Sequence, residues 1–216
     1  MKRVIALALL LMLALSGCAG ETPTETAPPA TADASAIDAV EADAVPVALT
    51  LREPEGEARD IANAAGVRAC VIEYECAREL DSIVPTVWRL TDGGWVKTAT
   101  QFVLDHGIGA SGSLTLAVDS LPGRVGIQLS SGGALVINGE PVEGSNSFNF
   151  IADFDALTGQ HVPIAAQTYV KDGVGAGETV TLGLSAEQFY APETIDAEKV
   201  DAYVLTLQFN SRDILG

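Results

Sequence analysis

Glycines, cysteines, histidines, carboxylates and aromatic rings stand at spacings that could do chemistry, and each pattern makes its own demand on structure. Gly107-Ile108-Gly109-Ala110-Ser111-Gly112 spells G-x-G-x-x-G after a strand-like stretch at 101–104. A dinucleotide site needs a helix next, so that the pyrophosphate can sit on its N-terminus. Residues 113–118 alternate as a strand instead, and Pro122 soon follows, so the glycines read as a connection between strands. Cys70 and Cys76 lie on one extended segment, where six residues span roughly 20 Å, far beyond the approximately 7 Å that a disulfide permits. Both fall on the apolar parity with Ile72 and Tyr74, which favours two buried thiols; a bulge near Glu73 would instead allow a bridge. His106 and His161 are the only histidines. The sequence holds no H-E-x-x-H, G-x-S-x-G or S-x-x-K, so a hydrolase would need a triad assembled from distant residues.

Carboxylates are plentiful. Glu73 and Glu75 share one strand parity, as do Asp153 and Asp155, and with Asp172 the latter pair are the candidates for a bound cation. Strand acids facing water are far commoner, no EF-hand loop is present, and no metal or cofactor is assigned. Saccharide and peptide sites favour exposed ring faces. Period-two parity assigns Tyr74, Trp88, Phe148, Phe150, Phe154, Tyr203 and Phe209 to the core, leaving Trp95, Tyr169 and Tyr190 as candidate binding residues. The competing arrangement packs Trp95 across its hairpin against Leu90 or Trp88.

The elements that must position these residues follow from composition and period. The 216 residues carry 29 acidic and 12 basic side chains, a formal charge of -17. That balance counts against nucleic acid and against direct docking on anionic lipid, both of which need a basic surface. The 21 glycines suit a turn-rich β domain.

Met1-Lys2-Arg3 is a basic start, residues 4–15 are an almost unbroken apolar run, and small residues follow. This is the layout of an export signal, in a run too short for a comfortable membrane span. Leu15-Ser16-Gly17-Cys18 closely resembles the lipobox of bacterial lipoprotein signals. The resemblance covers residues 1–18 and implies cleavage after residue 17, with Cys18 acylated as a membrane anchor. It also implies an extracytoplasmic, lipid-anchored location, at the cell membrane or the outer membrane, with Ala19 permitting the latter. The mature chain would hold 29 acids against 10 bases.

Residues 18–45 then read as the lipidated cysteine and an acidic, disordered linker: Ala, Thr and Pro-rich, with Glu21, Glu25, Asp33, Asp38, Glu41 and Asp43 and no base or aromatic. A short helix within 34–44 is weakly patterned. From about 46 to 216 the period becomes two. Strands are expected around Val45–Leu51, Cys70–Cys76, Val84–Leu90, Trp95–Lys97, Leu114–Val118, Val125–Leu129, Leu135–Ile137, Phe148–Phe154, Ile164–Val170, Val180–Leu184 and Tyr203–Phe209. Short helices are expected at 57–65 and 185–190. About ten antiparallel strands with one buried face predict an all-β, two-sheet sandwich, with a barrel as the alternative. The stretch from Val84 to Lys97, with its Asp92-Gly93 turn before Trp95, weakly resembles uncharacterised lipoproteins of anaerobic bacteria, a likeness that implies no activity.

The expectation is therefore a membrane-anchored surface lipoprotein with a non-catalytic binding or accessory role. Its partner would be an envelope protein or a neutral glycan, not nucleic acid. The alternatives are a carbohydrate-binding module using Trp95, Tyr169 or Tyr190 on one exposed face, and an envelope hydrolase uniting His106 or His161 with a carboxylate.

Overall fold

A computed structural model describes residues 43–100, 108–119, 124–129, 134–138, 146–151, 156–175 and 180–211. The signal, Cys18, nearly all of the linker, His106, Asp153, Phe154 and Asp155 lie outside these residues. All the described residues belong to one compact unit.

The chain runs β1 (Pro46–Arg52), α1 (Gly56–Ala64), β2 (Val67–Cys76), β3 (Leu80–Thr91), β4 (Gly94–Thr100) and β5 (Ser111–Asp119). It continues through β6 (Arg124–Leu129), β7 (Ala134–Asn138), β8 (Asn146–Phe150), β9 (Ala156–Leu157), β10 (His161–Val170), α2 (Ala186–Tyr190) and β11 (Val200–Ser211). The first sheet has the order β7-β6-β5-β2-β1-β9 and the second β4-β3-β11-β10-β8. All the described ladders are antiparallel. The protein is an all-β sandwich.

Local chemistry sets the turns and the register. Asp92-Gly93 makes the two-residue connection that hairpin twist favours, with Thr91 opposite Gly94 and the Thr91 hydroxyl donating to the Gly94 carbonyl at 2.9 Å. Gly94 takes φ 106°, a left-handed value that a side chain would strain. Between β2 and β5, Gly112 lies opposite Tyr74, whose ring occupies the place of a Cβ, with Cζ 2.7 Å from that position. Only glycine lets the ring lie there.

The core between the sheets takes Val47, Cys70, Ile72, Tyr74, Leu114 and Leu116 from the first sheet and Ile83, Val87, Val162, Ile164, Leu205, Leu207 and Phe209 from the second. A single buried face per sheet, as period two implies, holds only for the first. The second sheet is covered on its outer face as well, by residues 180–200. There Trp88, Leu90, Trp95, Ala166, Ala202 and Val204 pack against Leu184, Ala186 and Phe189. The expected strand at 180–184 is irregular chain instead. Asn149 holds it in place, donating to the Leu184 carbonyl at 2.8 Å and accepting from the Leu184 amide at 3.1 Å. Ser185 then starts α2 with a reciprocal cap to Gln188.

Candidate functional site

Where β1 ends, β2 does not. Arg52 is paired in register with Val71, so residues 67–70 of β2 continue past the end of β1. Opposite them lies β8, an edge strand of the second sheet. The sandwich opens between these strands into a mouth of about 400 Å³, lined by Leu51, Arg52, Glu53, Arg68, Cys70, Phe148, Asn149 and Phe150. A neighbouring hollow of about 240 Å³ shares Glu53, Arg68 and Phe150 and adds Arg59 and Asn63 from α1.

Alternation along β2 puts Arg68 on the same parity as Cys70, Ile72 and Tyr74, the side facing the core. Its guanidinium lies 5.9 Å from the centroid of the Phe148 ring, within cation–π range. Phe148 and Phe150, both half-buried, meet edge to face at 4.9 Å. Arg52 forms an ion pair with Glu73. Among the described residues, no carboxylate pairs with Arg59 or Arg68. The mouth therefore combines apolar walls with guanidinium groups that pair with no carboxylate among the described residues. Arg68 was not singled out by motif, although a charged residue on an otherwise apolar strand parity was the available signal.

Cys70 forms part of the floor and is 1% exposed. Burial, with the Glu53 charge second, pushes its thiol up to about 12, so it is neither a thiolate nor a nucleophile near neutral pH. Cys70 and Cys76 are both free and buried.

The aromatic candidates are not presented on an exposed face, which corrects the expectation for Trp95 and Tyr169. Trp95 is 1% exposed; its ring packs against Phe189 at 5.4 Å and its Nε1 donates to the Phe189 carbonyl at 2.7 Å. It shares a cluster with Trp88 and Leu90, as the hairpin arrangement anticipated. Tyr169 is 0% exposed and meets Tyr203 edge to face at 6.2 Å. Tyr190 is half-buried, its hydroxyl donating to the His161 carbonyl at 2.9 Å. The physical reasons differ: Trp95 lies on an outer face that residues 180–200 cover, whereas the register shift between Pro163 and Ala165 turns Ala165 and Tyr169 to the inner face, beside Tyr203.

His161 contacts the Thr206 hydroxyl through Nδ1 at 3.3 Å and the Trp88 ring at 5.0 Å. Burial, with Lys97 nearby as the second cause, lowers its pKa from 6.5 to about 4. Thr206 is fully buried, and its oxygen accepts from Trp88 Nε1 at 3.0 Å. The group links β3, β10 and β11, and the hydroxyl that meets the imidazole is the buried one of Thr206. Beyond Gly109 the chain enters β5, so no helix follows the glycines. Glu73 and Glu75 line an open groove with Thr50, Ser111 and Ser113 on the outer side of the first sheet. Asp172 lies in an exposed turn. Among the described residues no three His, Cys, Asp or Glu side chains converge as metal ligands would, and no helix is long and apolar enough to cross a membrane.

Fold and site together define an antiparallel two-sheet sandwich with an Arg-bearing apolar mouth at one edge. No protein-family model matches the chain, and neither a curated protein nor a solved structure proves similar to it.

Proposed function

We propose that this protein is a lipid-anchored, extracytoplasmic binding module: an acyl-modified Cys18, an acidic tether from 18 to 45, and a sandwich that binds an envelope component without transforming it. Leu15-Ser16-Gly17-Cys18 after the apolar run supports the anchor. The observation that carries the binding role is the mouth, where half-buried Phe148 and Phe150 border a cation with no carboxylate partner among the described residues. Such a union of apolar wall and sparse polar group is what small binding sites use. An envelope protein remains the favoured macromolecular partner. The neutral-glycan reading draws no support from Trp95 or Tyr169, whose rings are enclosed.

Metabolic labelling with an alkyne-bearing fatty acid tests the anchor. The full chain expressed in a bacterium is expected to take up label and fractionate with membranes, and Cys18→Ala to lose both properties. A wild-type chain that stays unlabelled and soluble in the periplasm or medium would overturn the reading.

A further inference from the structure

Resting on the binding reading above, we infer that the mouth between β1–β2 and β8 holds a single-chain amphiphile with a carboxylate head. The head would meet Arg68, and the acyl chain would lie against Leu51, Phe148 and Phe150 toward Cys70.

Charge distribution is the first argument. Residues 46–216 contain 23 acidic and 10 basic side chains. Yet Arg52, Arg59 and Arg68 gather around this opening, where Glu53 is the carboxylate lining it. Arg52 is taken up by Glu73, which leaves Arg59 and Arg68 against Glu53 among the described lining residues. A guanidinium fork matches a carboxylate in geometry as well as charge.

Placement is the second argument. Arg68 shares the core-facing parity of β2 but is itself exposed near the start of the strand, so its charge stays in water at the border of the apolar surface. Its position over Phe148 places charge at the rim and rings beneath it, the order in which an amphiphile presents head and tail. Below the rim the lining passes from half-buried Leu51 and Phe150 to fully buried Cys70, whose protonated thiol behaves as a small hydrophobe. The volume of about 400 Å³ lies in the range of small-molecule sites. The field of so acidic a domain repels extended polyanions, whereas a compact monoanion meets that repulsion once and the local cations at close range.

Octanoate is the probe, titrated calorimetrically into the full chain with Cys18→Ala to keep it free of lipid, below its micellar concentration. Acetate, octylammonium and octyl glucoside serve as comparators. Octanoate is expected to saturate one site, with each comparator weaker by about tenfold or more. Arg68→Ala should lower octanoate affinity by about tenfold or more with an unchanged thermal transition. Glu53→Gln should raise it severalfold by removing the competing acid. Octyl glucoside binding as tightly as octanoate would overturn the carboxylate assignment while leaving a binding module. Full affinity in Arg68→Ala would overturn the site. No octanoate binding, with Cys18 labelling intact, would overturn this inference and leave the anchored-protein reading standing.

Discussion

The second sheet is wrapped on both faces, whereas the first keeps one face wet, and the polar groups of each follow from that. On the enclosed side, Trp88 Nε1 reaches Thr206, Trp95 Nε1 reaches the Phe189 carbonyl and Asn210 reaches Ser82 at 3.0 Å. Each is a donor that would cost free energy if buried alone. On the first sheet, Glu73, Ser111 and Ser113 face an open groove and water can serve them. The enclosed region is a fixed assembly of rings and short polar links. The open region borders the mouth and holds an arginine with no acidic partner among the described residues. Rigidity and binding capacity are thus divided between two parts of one domain.

Three expected outcomes probe that division. Removing Phe189, which is fully buried and contacts Trp88, Trp95 and Tyr190, should cost the most. Phe189→Ala is expected to lower stability by about 3–5 kcal/mol in urea unfolding. Ile61→Ala, on α1 and 63% exposed, should stay within about 0.5 kcal/mol. Comparable losses would erase the contrast between enclosed and open regions.

The second outcome concerns pH. Burial lowers the His161 pKa from 6.5 to about 4. Between those values the unfolded chain binds the proton and the folded chain does not. Stability is therefore complete above pH 6.5 and declines as pH falls toward 4, by at most about 3 kcal/mol from this group. Urea midpoints of wild type and His161→Gln should differ in slope across that window, and parallel curves would refute the enclosure of the imidazole.

The third and smallest outcome lies on the open sheet. Gly112→Ala would set a methyl group against the Tyr74 ring, which Phe209 also contacts at 5.7 Å. A loss of about 1–3 kcal/mol is expected, and Tyr74→Leu should relieve part of it in a double-mutant cycle. Additive losses would mean that ring and glycine are independent.

The same contrast explains what was legible in the sequence. On the first sheet, residues 70–76 alternate because one face meets core and the other water, so parity reads correctly for Cys70, Ile72 and Tyr74. The Asp92-Gly93 turn and the short helix around 185–190 were equally visible, because their determinants are local. Trp95 was misplaced because what covers it comes from elsewhere in the chain, the Phe189 carbonyl lying 94 residues beyond it, and Tyr169 because a bulge between Pro163 and Ala165 reverses the parity of β10. Period cannot report a layer supplied by distant chain. The two-residue β9 was not foreseen, because its pairing with Pro46 and Val47 leaves no pattern of its own. The mouth escaped notice because it is formed where β1 stops short, a property of register rather than composition.

The two thiols of β2 carry one further consequence. An extended strand separates Cys70 from Cys76 and the closed sandwich shields both. If the chain is exported as proposed, oxidants can reach these sulfurs only between translocation and closure of the sheets. Folding then acts as the protecting group, and the speed of sheet closure, rather than any reductant, decides whether the cysteines survive an oxidising compartment unpaired.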